Sequence, residues 1–198
     1  MLAITSFPFT LPKQSFGEAI IAAMKSKEMG ESVEAYRLDE SPQGSDVIHF
    51  VAPGKSHATD GMLLAAKSTA GADWVGLFSR GDSNYVSFGL LLPQTLIAVS
   101  YGAAYIVPVN KPSEYFALPH SSCTFLHVMR DATAAILVSA ESIECVTADG
   151  ITWTCEPDAD GIEFVSESAD RIEVVASMIG NGDRRIAISS VDGAIIER

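Results

Sequence analysis

Between Asp82 and Lys111 the chain carries no charged residue. The stretch NYVSFGLLLPQTLIAVSYGAAYIVPVN, Asn84 to Asn110, is long and apolar enough to suggest a membrane span. Its punctuation argues otherwise. Pro93, Gly102 and Pro108 interrupt it at short intervals, and no basic flank is there to orient a spanning helix. Between the breaks lie runs of Val, Ile, Leu and Tyr without polar alternation, the pattern of strands covered on both faces. Three buried strands are predicted, at 85–92, 95–100 and 103–109.

The same grammar continues to the C-terminus. Short apolar runs separated by Gly, Asp, Asn and Pro predict strands at 74–79, 114–118, 123–130, 134–139, 142–147, 151–155, 162–167, 171–178, 184–190 and 194–197. The first 59 residues differ. Ser15 and Glu18 have capping-box spacing, and Phe16, Ala19, Ile20, Ala23 and Met24 recur at helical period before Gly30. A helix at about 16–29 follows. Val33–Leu38 and Val47–Val51 read as strands, and the polar link from Asp39 to Asp46 makes them a hairpin over about 32–52. Residues 60–71 fit either a helix capped by Asp60 or a strand, Met62 to Ala66, paired with Trp74 to Phe78. The brackets Gly61 and Gly71 leave too little length for the helix and favour the strand.

Three segments can be laid over one another, beginning LIAVSYGAAYIV at Leu96, ILVSAESIECVTADGITW at Ile136 and IEVVASMIGNGDRRIAISSVDG at Ile172. Each reads strand, turn, strand, polar turn, strand. The second and third share the turns Asp149-Gly150 and Asp192-Gly193, and the starts lie 40 and 36 residues apart. That spacing is near the period of a four-stranded propeller blade. On these segments, residues 88–198 resemble a group of uncharacterised bacterial β-rich proteins, and the blades are similar in outline to WD40 and quinoprotein-type propellers. The complete WD signature and the tryptophan-docking pattern are missing. The resemblance implies a fold and no activity.

Charge narrows the partners. The formal net charge is -12, which disfavours nucleic acid and anionic membrane surfaces, since both are bound through Lys and Arg. From Glu141 to Glu173 ten acids face a single Arg, so an acidic solvent face is predicted there, and its functional reading is a surface for a basic partner or for weakly held divalent cations. Cys123, Cys145 and Cys155 are odd in number and not at zinc spacing, which points to reduced buried thiols in a cytoplasmic protein. Cys145 and Cys155 flank the Asp149-Gly150 turn, so a hairpin there brings them near each other. The opening MLAITSFPFTLPK has no basic region and is broken by Pro8 and Pro12, unlike a secretory signal.

Candidate chemistry is sparse. Glu156, Asp158 and Asp160, with Gly161 sixth and Glu167 twelfth, follow the spacing of a calcium loop. Three departures favour an acidic turn instead: Glu at the first position, Glu163 where an apolar residue packs, and strand-like flanks. His49, His57 and Asp60 are the candidates for a catalytic cluster, but no histidine pair has metal spacing. Pro53-Gly54-Lys55-Ser56 lacks the glycines of a phosphate loop, there is no nucleophile elbow, and Arg80-Gly81-Asp82 reads as a turn.

The sequence therefore predicts a mainly β protein, an antiparallel meander of blade-like sheets forming an incomplete propeller or a two-sheet sandwich, with one N-terminal helix. Residues 1–59 form an α+β segment and 60–198 the β domain. The expected function is a non-enzymatic scaffold or interaction module without a cofactor. The alternative is a small-molecule-binding, hydrolase-like enzyme with a pocket where the N-terminal segment meets the sheets. A homodimer is expected, because an open row of blades leaves an apolar face uncovered. Candidates for that face are Ile172, Val174, Ile186, Ile188 and Ile195, or Leu90, Leu92 and Ile97.

Overall fold

The computed structural model describes residues 21–25, 32–69, 71, 73–119 and 122–197. Among the described residues seventeen strands make four sheets. Sheet 1 contains β1 (Ile21–Lys25), β2 (Ser32–Leu38), β3 (Val47–Phe50), β4 (Gly61–Ser68) and β5 (Trp74–Ser79), in the order β1-β2-β4-β5-β3. Sheet 2 is β6 (Val86–Leu91), β7 (Thr95–Ser100), β8 (Ala103–Pro108) and β9 (Phe116–Ala117). Sheet 3 is β10 (Phe125–Val128), β11 (Ala134–Val138), β12 (Ile143–Thr147) and β13 (Gly150–Cys155). Sheet 4 is β14 (Gly161–Glu167), β15 (Arg171–Met178), β16 (Gly182–Ser189) and β17 (Ile195–Glu197). Sheets 2 to 4 are each a four-stranded antiparallel meander in chain order, the make-up of a propeller blade.

The sheets stack face to face in sequence. One cluster joins sheets 1 and 2 through Phe50, Met62, Leu64, Phe78, Leu96 and Tyr105. A second joins sheets 2 and 3 through Ile97, Val99, Ile106, Ala135 and Leu137. A third joins sheets 3 and 4 through Ile136, Ile143, Trp153, Ile172, Val174 and Ile188. None of the three clusters joins sheet 4 to sheet 1. Sheet 2 is consequently covered on both sides, and every residue of β7 is buried, Thr95 and Ser100 included. This is the physical basis of the uncharged stretch: a strand inside a stack has no solvent face on which to place a charge.

The repeat segments are equivalent in space. Each begins in or at the second strand of its sheet and runs through the third and fourth. The Asp149-Gly150 and Asp192-Gly193 turns both join third strand to fourth. Gly193 is fixed by its neighbour as well as its backbone. Its φ is 73°, and a Cβ there would fall 2.6 Å from the Trp153 ring. Trp153 and Trp74 are both buried, and their indole N–H groups donate to the carbonyls of Ser190 and Val109.

Three expectations are corrected. Residues 21–25 of the predicted helix form a strand, paired antiparallel to β2 from Ile21↔Tyr36 to Lys25↔Ser32. The remainder, 16–20 and 26–29, lies outside the described residues. Among the described residues there is no α-helix; the one helical element is a 3-10 turn at Pro112–Glu114, which also shortens the predicted strand 114–118 to Phe116–Ala117. A short run such as IAAMK fits both periods, and the open edge of β2 supplies the backbone partners that decide it. The 32–52 hairpin is also not formed. β3 pairs in parallel with β5, so β4 and β5 lie between β2 and β3. Reaching from β2 to β3 spans three strand spacings, about 14 Å, and an eight-residue link extends to about 26 Å. The link is thus long enough to cross over, which its composition does not reveal. Third, the C-terminal apolar residues on which self-association was expected are covered. Ile172, Val174, Ile186 and Ile188 are buried against sheet 3, with Ile195 packed beside them. Leu90 and Ile97 are likewise buried between sheets, whereas Leu92 is partly exposed.

Sheet 1 takes strands from both sides of residue 59. The pairing Met62↔Phe78 to Ala66↔Trp74 is that predicted for the hairpin alternative of residues 60–71.

Candidate functional site

Side chains alternate along a strand, so the inner residues of sheet 1 fix the outer ones. Val33, Ala35, Met62, Leu64, Ala66, Trp74 and Phe78 point at sheet 2. Gly76 is required on this side, because a Cβ there would lie 2.3 Å from the Phe50 ring. The opposite face therefore carries Glu34, Tyr36 and Leu38 of β2, Leu63, Ala65 and Lys67 of β4, Val75 and Leu77 of β5, and Val47 and His49 of β3, with Glu34 opposite Lys67 and His49 opposite Leu77. They are cross-strand neighbours, through Tyr36↔Ala65, Leu38↔Leu63, Leu63↔Leu77, Ala65↔Val75 and Val47↔Val75. Tyr36, Leu38, Val47, Leu63 and Leu77 are half-buried, and among the described residues no sheet packs over them.

The crossover between β2 and β3 runs over part of this face. Pro42, Gly44, Ser45 and Asp46 form one wall of a pocket of ≈ 330 Å³, and Tyr36, Leu38, Ala65 and Val75 form its floor. Volumes of this order accommodate a small ligand or a side chain of a partner. Lys67, Asp46 and Asp73 stand at the rim. The Lys67 ammonium lies 5.7 Å from the Tyr36 ring centroid, where the ring's negative face attracts it. Asp46 and Asp73 are exposed and make no ion pair among the described residues.

The residues singled out in the sequence do not line this pocket. His49 places Nδ1 3.1 Å from the Ala58 carbonyl oxygen. His57 Nδ1 is 2.7 Å from Ser56 Oγ. Asp60 pairs with Arg80 at 3.4 Å, and the Arg80 guanidinium lies over Tyr101. All three candidates are exposed, and each is held by a different neighbour, so they form no relay. The polar groups nearby serve the fold. Ala52 N–H donates to Ser79 Oγ at 2.9 Å, Ser79 Oγ donates to Tyr105 OH, and Tyr105 OH donates to the Ser79 carbonyl, each of the last two at 2.7 Å. This closed chain ties the loop after β3 to sheets 1 and 2, and burial pushes the Tyr105 hydroxyl up to about 12.

The calcium-loop residues are also separated. Glu156, Asp158 and Asp160 lie in the link from β13 to β14, where Asp160 accepts the Ile179 N–H at 2.7 Å. From Gly161 the chain is a strand to Glu167, which carries Glu167 about 20 Å from the loop. There Glu167 pairs with His127 at 2.8 Å across the junction of sheets 3 and 4. Among the described residues no three His, Cys, Asp or Glu converge on a metal position. The ten acids between 141 and 173 divide in the same way. Glu144 and the Glu167 side chain are buried, and Asp170 sits at the far end of β14 from Asp158.

The cysteines offer no nucleophile. All three are free and buried, and the register sets Cys145 opposite Trp153 and Cys155 opposite Ile143. Burial pushes the Cys123 thiol up to about 11 and raises the other two, which keeps them protonated at neutral pH.

Sequence reasoning missed Tyr36, Leu38, Lys67, Val75, Asp46 and Asp73. One signal pointed to them: Met62 to Ala66 is apolar without alternation, the pattern of a strand covered on both faces.

No family model matches the chain, and no curated protein matches it. Among solved structures, it is similar to a catalytically inactive virginiamycin B lyase from Staphylococcus aureus with quinupristin, at TM-score 0.46 and 12% identity, over 91% of this chain and 74% of that one. It is also similar to the AfRom2 CNH domain, at TM-score 0.36 and 9% identity, over 90% and 67%. Neither likeness bears on function.

Proposed function

We propose that this chain is a non-enzymatic interaction module, an open row of four propeller-like blades that meets a partner through the outer face of sheet 1. The observation that carries the reading is the contiguous half-buried group Tyr36, Leu38, Val47, Leu63 and Leu77 on a face that, among the described residues, no other sheet covers. Partly exposed apolar groups that are contiguous rather than scattered mark interaction surfaces. The enzyme alternative keeps one point in its favour, since the pocket lies where the N-terminal segment meets the sheets. It lacks a catalytic cluster there, because His49, opposite Leu77 on this face, His57 and Asp60 do not line the pocket and are not joined to one another.

Titration with the neutral dye Nile red tests the reading. Saturable fluorescence that Leu38→Ser or Leu77→Ser removes, and that Val175→Ser on sheet 4 leaves intact, is the expected result. Equal binding by all of them places the apolar surface elsewhere and overturns it. Light scattering at micromolar concentration identifies a second copy as the partner if the mass is that of two chains and Leu38→Ser halves it. Such an interface buries over about 1,000 Å².

A further inference from the structure

The rim of the pocket says more about its occupant than the floor does. The floor of Tyr36, Leu38, Ala65 and Val75 is apolar and selects only for size and hydrophobicity. At the rim stand two carboxylates and one ammonium. The ammonium of Lys67 is directed at the Tyr36 ring, so its charge is partly satisfied inside the site. Asp46 and Asp73 have no cation among the described residues. Asp46 ends the crossover and Asp73 precedes β5, and the parallel pairing of β3 with β5 sets both at the same end of the sheet. An apolar side chain entering the pocket beside them brings its sequence neighbours close to both carboxylates.

The far field has the same sign. A formal net charge of -12 repels a second copy of this chain as well as any acidic partner, and attracts a basic one from beyond contact range.

We infer that the occupant is a basic segment of a different protein, in which a large apolar side chain flanked by Lys or Arg enters the pocket under the crossover while the flanking cations meet Asp46 and Asp73. The inference rests on the docking face proposed above and adds the chemistry of the partner. A partner segment with apolar and acidic residues is excluded by the same two carboxylates.

The test uses the full chain and three peptides: Gly-Lys-Leu-Lys-Gly, a twin with Ser for each Lys, and a twin with Glu for each Lys. Binding is followed by the amide chemical shifts of the protein. Saturable shifts at Ala65, Lys67 and Val75 are expected with the Lys peptide. The Ser twin should bind more weakly and the Glu twin not at all. Asp46→Asn with Asp73→Asn should weaken the Lys peptide about tenfold, the sum of two exposed charge contacts. Both substitutions are at exposed positions, and an unchanged thermal midpoint verifies that the variant is folded. If the Lys and Ser peptides bind alike, or the double variant binds as the parent does, the inference is overturned while the docking face stands. If no peptide shifts these amides, the inference falls, and the Nile red titration decides the docking face separately. If light scattering gives a two-chain mass that Leu38→Ser abolishes, the occupant is a second copy and the inference is again overturned.

Discussion

At the C-terminal end of the stack the outer face of sheet 4 carries Glu163, Arg171, Glu173, Asp183 and Arg185 around Val175. At the N-terminal end the outer face of sheet 1 carries Tyr36, Leu38, Leu63 and Leu77. Both are terminal faces of the described stack, and the register places each set on one side of its sheet. On sheet 4 the polar side chains bond one another, through Ser177 to Asp183 at 2.7 Å, Ser166 to Glu173 at 3.3 Å and Arg171 beside Glu173 at 4.0 Å. A stack needs a polar outer face where it ends in water. Sheet 4 has one. Sheet 1 has Glu34, Lys67 and His49 on its outer face, but Tyr36, Leu38, Leu63 and Leu77 stay together beside them, and the crossover covers only part of that apolar group. The contrast locates the surface that has something to gain from a partner.

Several measurements sharpen or break this contrast, and the largest effects lie inside the stack. Trp153→Ala removes the indole that packs on Gly193 and donates to Ser190, and should cost about 3–5 kcal/mol in chemical denaturation. An unchanged midpoint would place Trp153 outside the sheet 3–sheet 4 core. Within sheet 4 the two faces should separate. Ile188→Ala, on the inner face, should cost about 2–5 kcal/mol, and Val175→Ala, on the outer face, should stay within about 0.5 kcal/mol. Equal costs would mean that something covers the outer face of sheet 4 too. On sheet 1, Leu38→Ser should lower stability by about 1 kcal/mol and remove dye binding. A cost of the size predicted for Ile188 would show that this face is core.

Alkali should act through the interior common to both ends. Burial holds Tyr105 and Cys123 neutral, with folded values of about 12 and about 11 against ordinary values of 10.0 and 9.0. Their contribution is fully present below about pH 9 and is lost as pH rises through 11 and 12. The thermal midpoint should therefore fall above pH 9, and a flat profile to pH 12 would contradict the burial of both groups. Salt should have the smallest effect. Raising ionic strength from low to moderate should stabilise the chain by about 1 kcal/mol or less, because it screens a net charge of -12. Calcium should add nothing beyond magnesium at equal ionic strength, and a saturable micromolar calcium isotherm would reinstate Glu156–Glu167 as a site.

Much of the fold was legible because each strand from β5 onward is bounded by its own turn residues. Pro93 and Gly102 delimit β7, and the aspartate-glycine turns mark the last strand of sheets 3 and 4. Sheet 1 was less legible because its order is not its chain order. Nothing in Asp39 to Asp46 distinguishes a hairpin loop from a crossover, since both want the same polar, Pro- and Gly-containing link. The segment around Ile21 fits two periods, and only the edge of β2 selects one. The site was nearly illegible for the same reason. Asp46 and Asp73 are far apart in sequence and meet the same pocket only because the crossover sets β3 beyond β5. The calcium spacing misled in the opposite direction, since a run that would curl in a helix-flanked loop is drawn out straight by β14.

The most direct measurement compares the two ends in one titration. Gly-Lys-Leu-Lys-Gly is added to the parent chain, to Leu38→Ser and to Val175→Ser, and the dissociation constants are read from amide shifts. Binding that survives Val175→Ser and is lost in Leu38→Ser is the predicted result. Binding that is equal in all three, or that is lost only in Val175→Ser, would contradict the assignment of the docking face to sheet 1.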